Sequence, residues 1–311
     1  MLIKKQLQLI KQVTGLSQEG LARELGVSFP TLNSWINGKS EPRTQAVAVI
    51  EELYLKCTGQ AIVPKDALEA KKLLIRDFAS GGASMVKKIM ERQDLYDEFL
   101  LQLTYNTNSI EGSTLSENET AAVLFEDTTL PKKTLVEQME VKNHKAALDF
   151  LFKHVRQGGA LDENFVMRLH AILMNAIHED AGFYRRHGVR IVGSSVPTAN
   201  YMKVPDLMAK LFAGAAGPAK ADGDIVQLVT SIHWEFEKIH PFADGNGRVG
   251  RLLMNAILLG ANLPPAVIKQ ENKQFYYTYL QKAQMGGDQS LLEDFICDAV
   301  LEGLYILTNK T

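Results

Sequence analysis

Apolar residues recur at three- and four-residue intervals over most of this chain, the spacing that lines one face of a helix. Ile3, Leu7 and Ile10 carry the pattern to about residue 13. Ser17 then offers an N-cap, Leu21, Ala22 and Leu25 line one face, and Gly26 stops the helix. Ser28 caps the next, Pro30 sits in its first turn, Leu32, Trp35 and Ile36 face inward, and Gly38 closes it. Residues 57–65 read as a linker, and a helix is predicted over about 65–78, followed by a turn at 80–84. Leu95, Phe99, Leu100 and Leu103 predict a helix from residue 94 that Gly112 ends, and Ser116 with Glu119 forms a capping box for another. Long amphipathic stretches run over about 132–155, 162–177 and 224–239. The one β signal is the alternation of Val189 and Ile191 up to Gly193, with Asn200 to Val204 as a returning strand. The prediction is a mainly α protein, an N-terminal helix-turn-helix bundle followed by an all-helical core with a small β-hairpin.

The sequence from Leu16 to Ser28, followed by Ser34-Trp35-Ile36-Asn37-Gly38-Lys39 and Pro42, resembles the Cro/repressor type of helix-turn-helix domain. In that family the second helix of the pair enters the major groove. The resemblance implies that Ser28, Phe29, Pro30, Thr31 and Ser34 face DNA and that Gln18, Lys39 and Arg43 meet phosphates. Residues 28–36 hold no Arg, Lys or Gln, so the strongest bidentate base readers are missing, and Phe29 against a thymine methyl is a modest substitute. Cations outnumber acids by only three in residues 1–45, a thin footprint for a monomer, so useful affinity calls for a homodimer. A small protein-docking helical domain is the alternative.

Composition narrows the class. The 311 residues are 46% hydrophobic and 23% charged, with net charge −2, which excludes wholesale disorder and a coat for nucleic acid. Cys57 and Cys297 are far apart and lack metal-ligand spacing, so both are expected to be buried thiols in a reducing cytoplasm. The most apolar tract, residues 252–268, is interrupted by Asn255, Asn262, Pro264 and Pro265, and no membrane association is expected.

The chemistry concentrates where the 224–239 helix ends. His240-Pro241 is followed by Phe242-Ala243-Asp244-Gly245-Asn246-Gly247 and then by a helix beginning Arg248-Val249-Gly250-Arg251. Gly-Asn-Gly lets consecutive main-chain N–H groups converge on an anion, and the helix N-terminus adds positive potential. Arg248 and Arg251 are three apart and project from one face. Asp244 is a hard oxygen ligand of the kind that holds Mg²⁺ beside a polyphosphate. His240 can take a proton near neutral pH. Base, metal ligand and phosphate clamp together point to phosphoryl-type transfer to a hydroxyl.

The stretch His240 to Arg251 resembles the Fic signature, His-Pro-Phe-x-Asp/Glu-Gly-Asn-Gly-Arg-x-x-Arg, and the wider resemblance covers about residues 85–306. It implies transfer of AMP from ATP to a Ser, Thr or Tyr hydroxyl of a target protein or of the chain itself. His240 would be the base and Asp244 the Mg²⁺ ligand, and Gly245, Asn246 and Gly247 would cradle the α-phosphate. Arg248 would balance the departing phosphates, and Arg251 would hold the γ-phosphate. Tyr277 would contact adenine, with Gln284 further along where relatives often have Asn. The hairpin (about 183–204) would be the flap that aligns the target. Thr107-Asn108-Ser109-Ile110-Glu111-Gly112 resembles the inhibitory motif Ser/Thr-x-x-x-Glu-Gly/Asn, and Glu111 would occupy Arg251 in place of the γ-phosphate. The implied division is a helix-turn-helix domain (1–58), a linker and connecting helix (59–84) and a Fic catalytic domain (85–311) that includes the inhibitory helix (about 94–112). Three alternatives stay open: a phosphate-transferring Fic-like enzyme, against which Gly247 argues; a de-AMPylating one; and an ATP-sensing transcriptional regulator. His233 reads as a satisfied core histidine, and His170 and His178 lack partners at metal spacing.

Overall fold

A computed structural model describes residues 2–79, 82, 84–126, 128–191, 196–215, 224–286 and 288–309. Among them regular structure is entirely helical. In chain order the helices are α1 (Leu2–Thr14), α2 (Gln18–Glu24), α3 (Phe29–Ile36), α4 (Thr44–Cys57), α5 (Lys65–Ala79), α6 (Met85–Glu91), α7 (Gln93–Glu111) and α8 (Glu117–Phe125). They continue with α9 (Leu135–Arg156), α10 (Glu163–Leu173), α11 (Val204–Ala215), α12 (Ile225–Ile239), α13 (Asn246–Gly260), α14 (Lys273–Gly286) and α15 (Ser290–Asn309).

The start signals of the sequence act as read. The Ser17 hydroxyl accepts from Gly20 N–H at 3.0 Å, and Ser116 and Glu119 form the reciprocal capping box of α8. Gly26 and Gly38 both take positive φ, as helix-ending glycines do. Leu7, Ile10, Leu21, Leu32, Trp35 and Ile50 bury one another in a small core of α1 to α4. This core meets the rest of the protein through α14, whose Phe275 packs on it.

Two further cores share α12 and α13. One gathers α6, α7, α9, α10 and α11 about Phe99, Phe152, Phe236 and Phe242. The other gathers α5, α14 and α15 about Leu258, Tyr276 and Ile296. A helix enclosed between two cores buries every face, so the polar residues of α13 need partners inside: Asn246, Arg248, Arg251 and Asn255 are all buried. The buried Lys72 ammonium of α5 meets Asp224, Glu293 and Glu69, pinning the start of α12 and of α15. Both cysteines are buried free thiols. No helix among the described residues is long and apolar enough to cross a membrane.

The expected hairpin is the correction. Residues 184–191 and 196–200 form no ladder, and Tyr201–Lys203 is a single 3₁₀ turn leading into α11. The Asn200 side chain caps that turn, accepting from Met202 N–H, and Pro205 suits a first helical turn, so Asn200 to Val204 is a helix start rather than a returning strand. The two arms are joined by side-chain donors instead: Thr198 Oγ1 donates to the Val189 carbonyl at 2.7 Å, and Arg185 reaches the Ala199 carbonyl. The end of the expected first strand, Val192 and Gly193, lies outside the described residues, as do positions 80, 81 and 83 of the expected turn.

Candidate active site

The site is a sharp turn between two buried helices. α12 ends at Ile239, and His240 enters the left-handed region (φ 53°, ψ 63°), a conformation that costs a residue with a side chain about 1–2 kcal/mol. That turn throws Pro241 and Phe242 back into the core. The Phe242 ring is fully buried and stacks on His170 with centroids 3.7 Å apart and planes 5° from parallel. His170 also lies 3.1 Å through Nε2 from the Asp244 carbonyl, while Nδ1 accepts from Gly182 N–H at 2.9 Å. Asn246 closes the loop on itself: Oδ1 accepts from Phe242 N–H at 2.8 Å, and Nδ2 donates to the Phe242 carbonyl at 2.9 Å. Its side chain is therefore a loop brace, and its backbone N–H is what it can offer to an anion.

Gly245 takes φ 78°, and a Cβ there would meet Met174 Sδ at 2.9 Å, so glycine is required on both counts. α13 then starts at Asn246, and the N–H groups of its first turn have no intrahelical acceptor. With the helix dipole behind them they are oriented as donors to an anion. The Asp244 side chain is well exposed; Oδ1 accepts from Gly245 N–H at 2.6 Å, and Oδ2 is 3.6 Å from Arg248. One oxygen braces the loop, and the other can hold a cation.

Both arginines of α13 are buried and engaged. Arg248 Nη1 donates to Glu140 of α9 at 2.7 Å. Arg251 Nε donates to Thr107 Oγ1 at 2.6 Å, and Nη2 donates to Glu111 Oε1 at 2.5 Å. Glu111 raises the pKa of that guanidinium against the cost of its burial. Glu111 lies where a side chain on Gly247 would stand: a Cβ there would be 2.5 Å from Glu111 Oε1. The Tyr276 ring lies under Arg251, centroid to Cζ 5.9 Å.

The environment sets the protonation states. Burial, aided by the Arg185 cation, lowers the His240 imidazole to about 4, so it is neutral at physiological pH. With Nδ1 donating toward the Glu237 carbonyl at 3.3 Å, Nε2 carries the lone pair. Burial also pushes the Glu237 carboxyl up to about 8, and its Oε1 has no hydrogen-bond partner.

His240, Asp244, Gly245, Asn246, Gly247, Arg248 and Arg251 thus share one turn, and Thr107 and Glu111 reach it from α7. Tyr277 is half-exposed, 3.4 Å through its hydroxyl from the Ile110 carbonyl, with Lys273 over its ring. Gln284 is buried two turns along α14, its amide 3.4 Å from the Trp234 carbonyl. His233 bonds Tyr276 at 2.8 Å, as a core histidine should. Sequence reasoning missed Arg185, Glu140, His170 and Glu237. His170 has no metal-ligand spacing to mark it, and its partners in the catalytic loop, Phe242 and Asp244, lie 72 and 74 residues away along the chain.

Residues 160–258 match the Fic/DOC family. The chain carries a Fic domain. Residues 14–54 match a helix-turn-helix family, so the protein also carries that fold over α1 to α4. Relatives of the Fic part include the protein adenylyltransferase Fic of Nematostella vectensis, 29% identical over 226 residues, 71% of this chain and 50% of that one. Another is the protein adenylyltransferase fic-1 of Caenorhabditis elegans, 30% identical over 185 residues, 58% of this chain and 36% of its own. The chain spans about half or less of the length of these curated relatives. Among solved structures, C. elegans Fic-1 shares the fold over 98% of this chain and 88% of that one, with TM-score 0.67 at 21% identity. A Fic family protein of Desulfovibrio desulfuricans covers 80% of this chain and 76% of its own, with TM-score 0.64 at 25% identity.

The α1 to α4 surface leaves Ser28, Phe29, Pro30, Lys39 and Arg43 exposed, with Gln18, Thr31 and Ser34 half-buried. Ser28 and Thr31 hydroxyls bond each other at 2.8 Å, and Ser34 bonds Ser40 at 2.7 Å.

Proposed function

We propose that this protein is an autoinhibited adenylyltransferase, transferring AMP from ATP to a Ser, Thr or Tyr hydroxyl of a target protein or of itself. The observation that carries the reading is the pairing of Glu111 with Arg251 above the α13 N-terminus, a carboxylate held at the position a phosphate would take. The hydroxyl oxygen of the target attacks the α-phosphorus while His240 Nε2 takes its proton. The bond from the α-phosphorus to the bridging oxygen breaks, and pyrophosphate leaves against Arg248 and Arg251. The N–H groups of Asn246 and Gly247 hold the α-phosphate over the turn that Gly245 makes, Tyr277 stacks on adenine, and Gln284 backs that wall from further along α14.

The exposed Oδ2 of Asp244, 3.6 Å from Arg248, fits an Mg²⁺ shared with the phosphates, since such ions take few protein ligands. Bound there, Mg²⁺ would neutralise charge on the departing phosphates. Phosphate transfer through a lysine at the second loop glycine has no support, because a side chain on Gly247 would collide with Glu111.

The helix-turn-helix domain (1–58) supplies DNA binding as a homodimer, its exposed Ser28, Phe29 and Pro30 toward bases and Lys39 and Arg43 toward phosphates; residues 59–84 link it to the catalytic domain. Two buried free thiols suit the reducing cytoplasm. The test is incubation of Glu111→Gly with α-labelled ATP, Mg²⁺ and host lysate, with His240→Ala as control. Labelled protein carrying AMP by mass spectrometry, absent in the control, is expected. Absence of label from both removes the proposal.

A further inference from the structure

Arg185 sits at the hub of the catalytic turn, yet nothing in the reaction scheme above uses it. Only 2% of the residue is exposed. Its guanidinium donates to four carbonyl oxygens: Nε to His240 at 2.7 Å, Nη1 to His187 at 2.9 Å, and Nη2 to Ala199 at 2.5 Å and Ile239 at 3.4 Å. Its backbone N–H donates to the Pro241 carbonyl at 3.0 Å. These partners lie on three separate stretches: the end of α12 and both arms of the 184–200 segment.

A buried guanidinium bound to carbonyls rather than to a carboxylate is uncommon unless the carbonyls need it. Here they do. The last carbonyls of α12 have no intrahelical donor, and the left-handed turn at His240 would otherwise expose them to the core. A cation at a helix C-terminus also opposes the dipole of α12. A glycine would make this turn without strain. The chain has an imidazole there instead, and the Arg185 fork over-determines the strained backbone.

We propose that Arg185 is the positioning residue of His240, fixing the base by clamping its carbonyl and that of Ile239 to the arms of the 184–200 segment. The inference rests on the reading of His240 as the base, and its test separates the two. Charges facing the imidazole come from Arg185, Glu111 and Asp244, so loss of Arg185 changes electrostatics as well as geometry. Arg185→Lys keeps the charge and loses the fork, whereas Arg185→Gln loses both.

The experiment uses full-length Glu111→Gly protein carrying each change. It measures kcat and KM for ATP, affinity for a fluorescent ATP analogue, and the ring NMR signal of His240, assigned by its absence in His240→Ala. Misplacing a reacting group by about an ångström costs about a hundredfold. Arg185→Gln is therefore expected to lower kcat about 30- to 100-fold, with KM for ATP and analogue affinity within twofold, and to move the His240 signal. Arg185→Lys is expected to recover part of kcat and of the signal position. A kcat within twofold of the parent, or a His240 signal unmoved in both variants, overturns the inference. So does parallel loss of analogue affinity and kcat, the mark of a merely structural residue. If Glu111→Gly transfers no AMP at all, the functional proposal falls, while the NMR signal still decides the role of Arg185.

Discussion

Replacing Glu111 with glycine removes one partner from a pair whose other member cannot leave. Arg251 is 5% exposed, and apart from Glu111 it keeps Thr107 and the ring of Tyr276. A hydrogen bond to a charged group contributes about 1.5–3 kcal/mol. The Glu111 side chain is 33% exposed, which screens it, so the lower half of that range applies. A triphosphate must displace this carboxylate to reach Arg251, and its removal should release about 1.5–2 kcal/mol, a ten- to thirtyfold gain. The expected signature is a ten- to thirtyfold rise in initial rate of label incorporation from α-labelled ATP. The nucleotide-free variant should be less thermostable than wild type, because a buried guanidinium has lost its counter-charge. Saturating ATP with Mg²⁺ should restore most of that loss. Glu111→Gln keeps helix propensity where glycine costs about 1 kcal/mol, and should fall between. Equal rates for wild type and both variants would refute the reasoning, as would a variant whose melting point ignores ATP.

Other consequences can be checked on purified protein. Stability should fall as pH drops from 6.5 toward 4, because burial holds His144 and His233 at about 3 and His170 and His240 at about 4. The unfolded chain takes up protons in that window that the folded state refuses. Glu237 acts in the opposite sense, since its folded value near 8 makes it lose stabilising influence as pH rises from 4.5, but one carboxyl opposes four imidazoles. Urea midpoints that stay level or rise between pH 6.5 and 4.5 would contradict this. Gly250→Ala would drive a methyl into the Glu237 carboxyl in the core and should cost about 1–3 kcal/mol in urea unfolding. Arg43→Ala should weaken DNA binding without changing sequence preference and lower the salt slope by about one per domain; an unchanged slope removes Arg43 from the phosphate contacts.

The legible parts were those in which cause and effect lie close along the chain. Ser17, Ser28 and Ser116 each act on an N–H three residues ahead, and the loop from His240 to Arg251 carries its glycines, cations and carboxylate in twelve consecutive residues. The pairing of Glu111 with Arg251 spans 140 positions, and only family resemblance suggested it. Arg185 reaches His240 across 55 positions and Glu140 reaches Arg248 across 108, with no periodicity or motif to mark either. The hairpin failed for a different reason. Alternation over Val189 and Ile191 describes an extended arm well, but a ladder needs a partner, and Asn200 with Pro205 starts a helix there.

The central claim is spatial: a single triphosphate meets the base, the carboxylate and both arginines of one turn. A crystal structure of Glu111→Gly with a non-hydrolysable ATP analogue and Mg²⁺ tests it directly. The account predicts the γ-phosphate on Arg251, the α-phosphate over the α13 N-terminus with His240 Nε2 facing it, and the cation on Asp244. An analogue bound elsewhere, or one whose phosphates leave Arg251 and His240 on opposite sides of separate cavities, would contradict it.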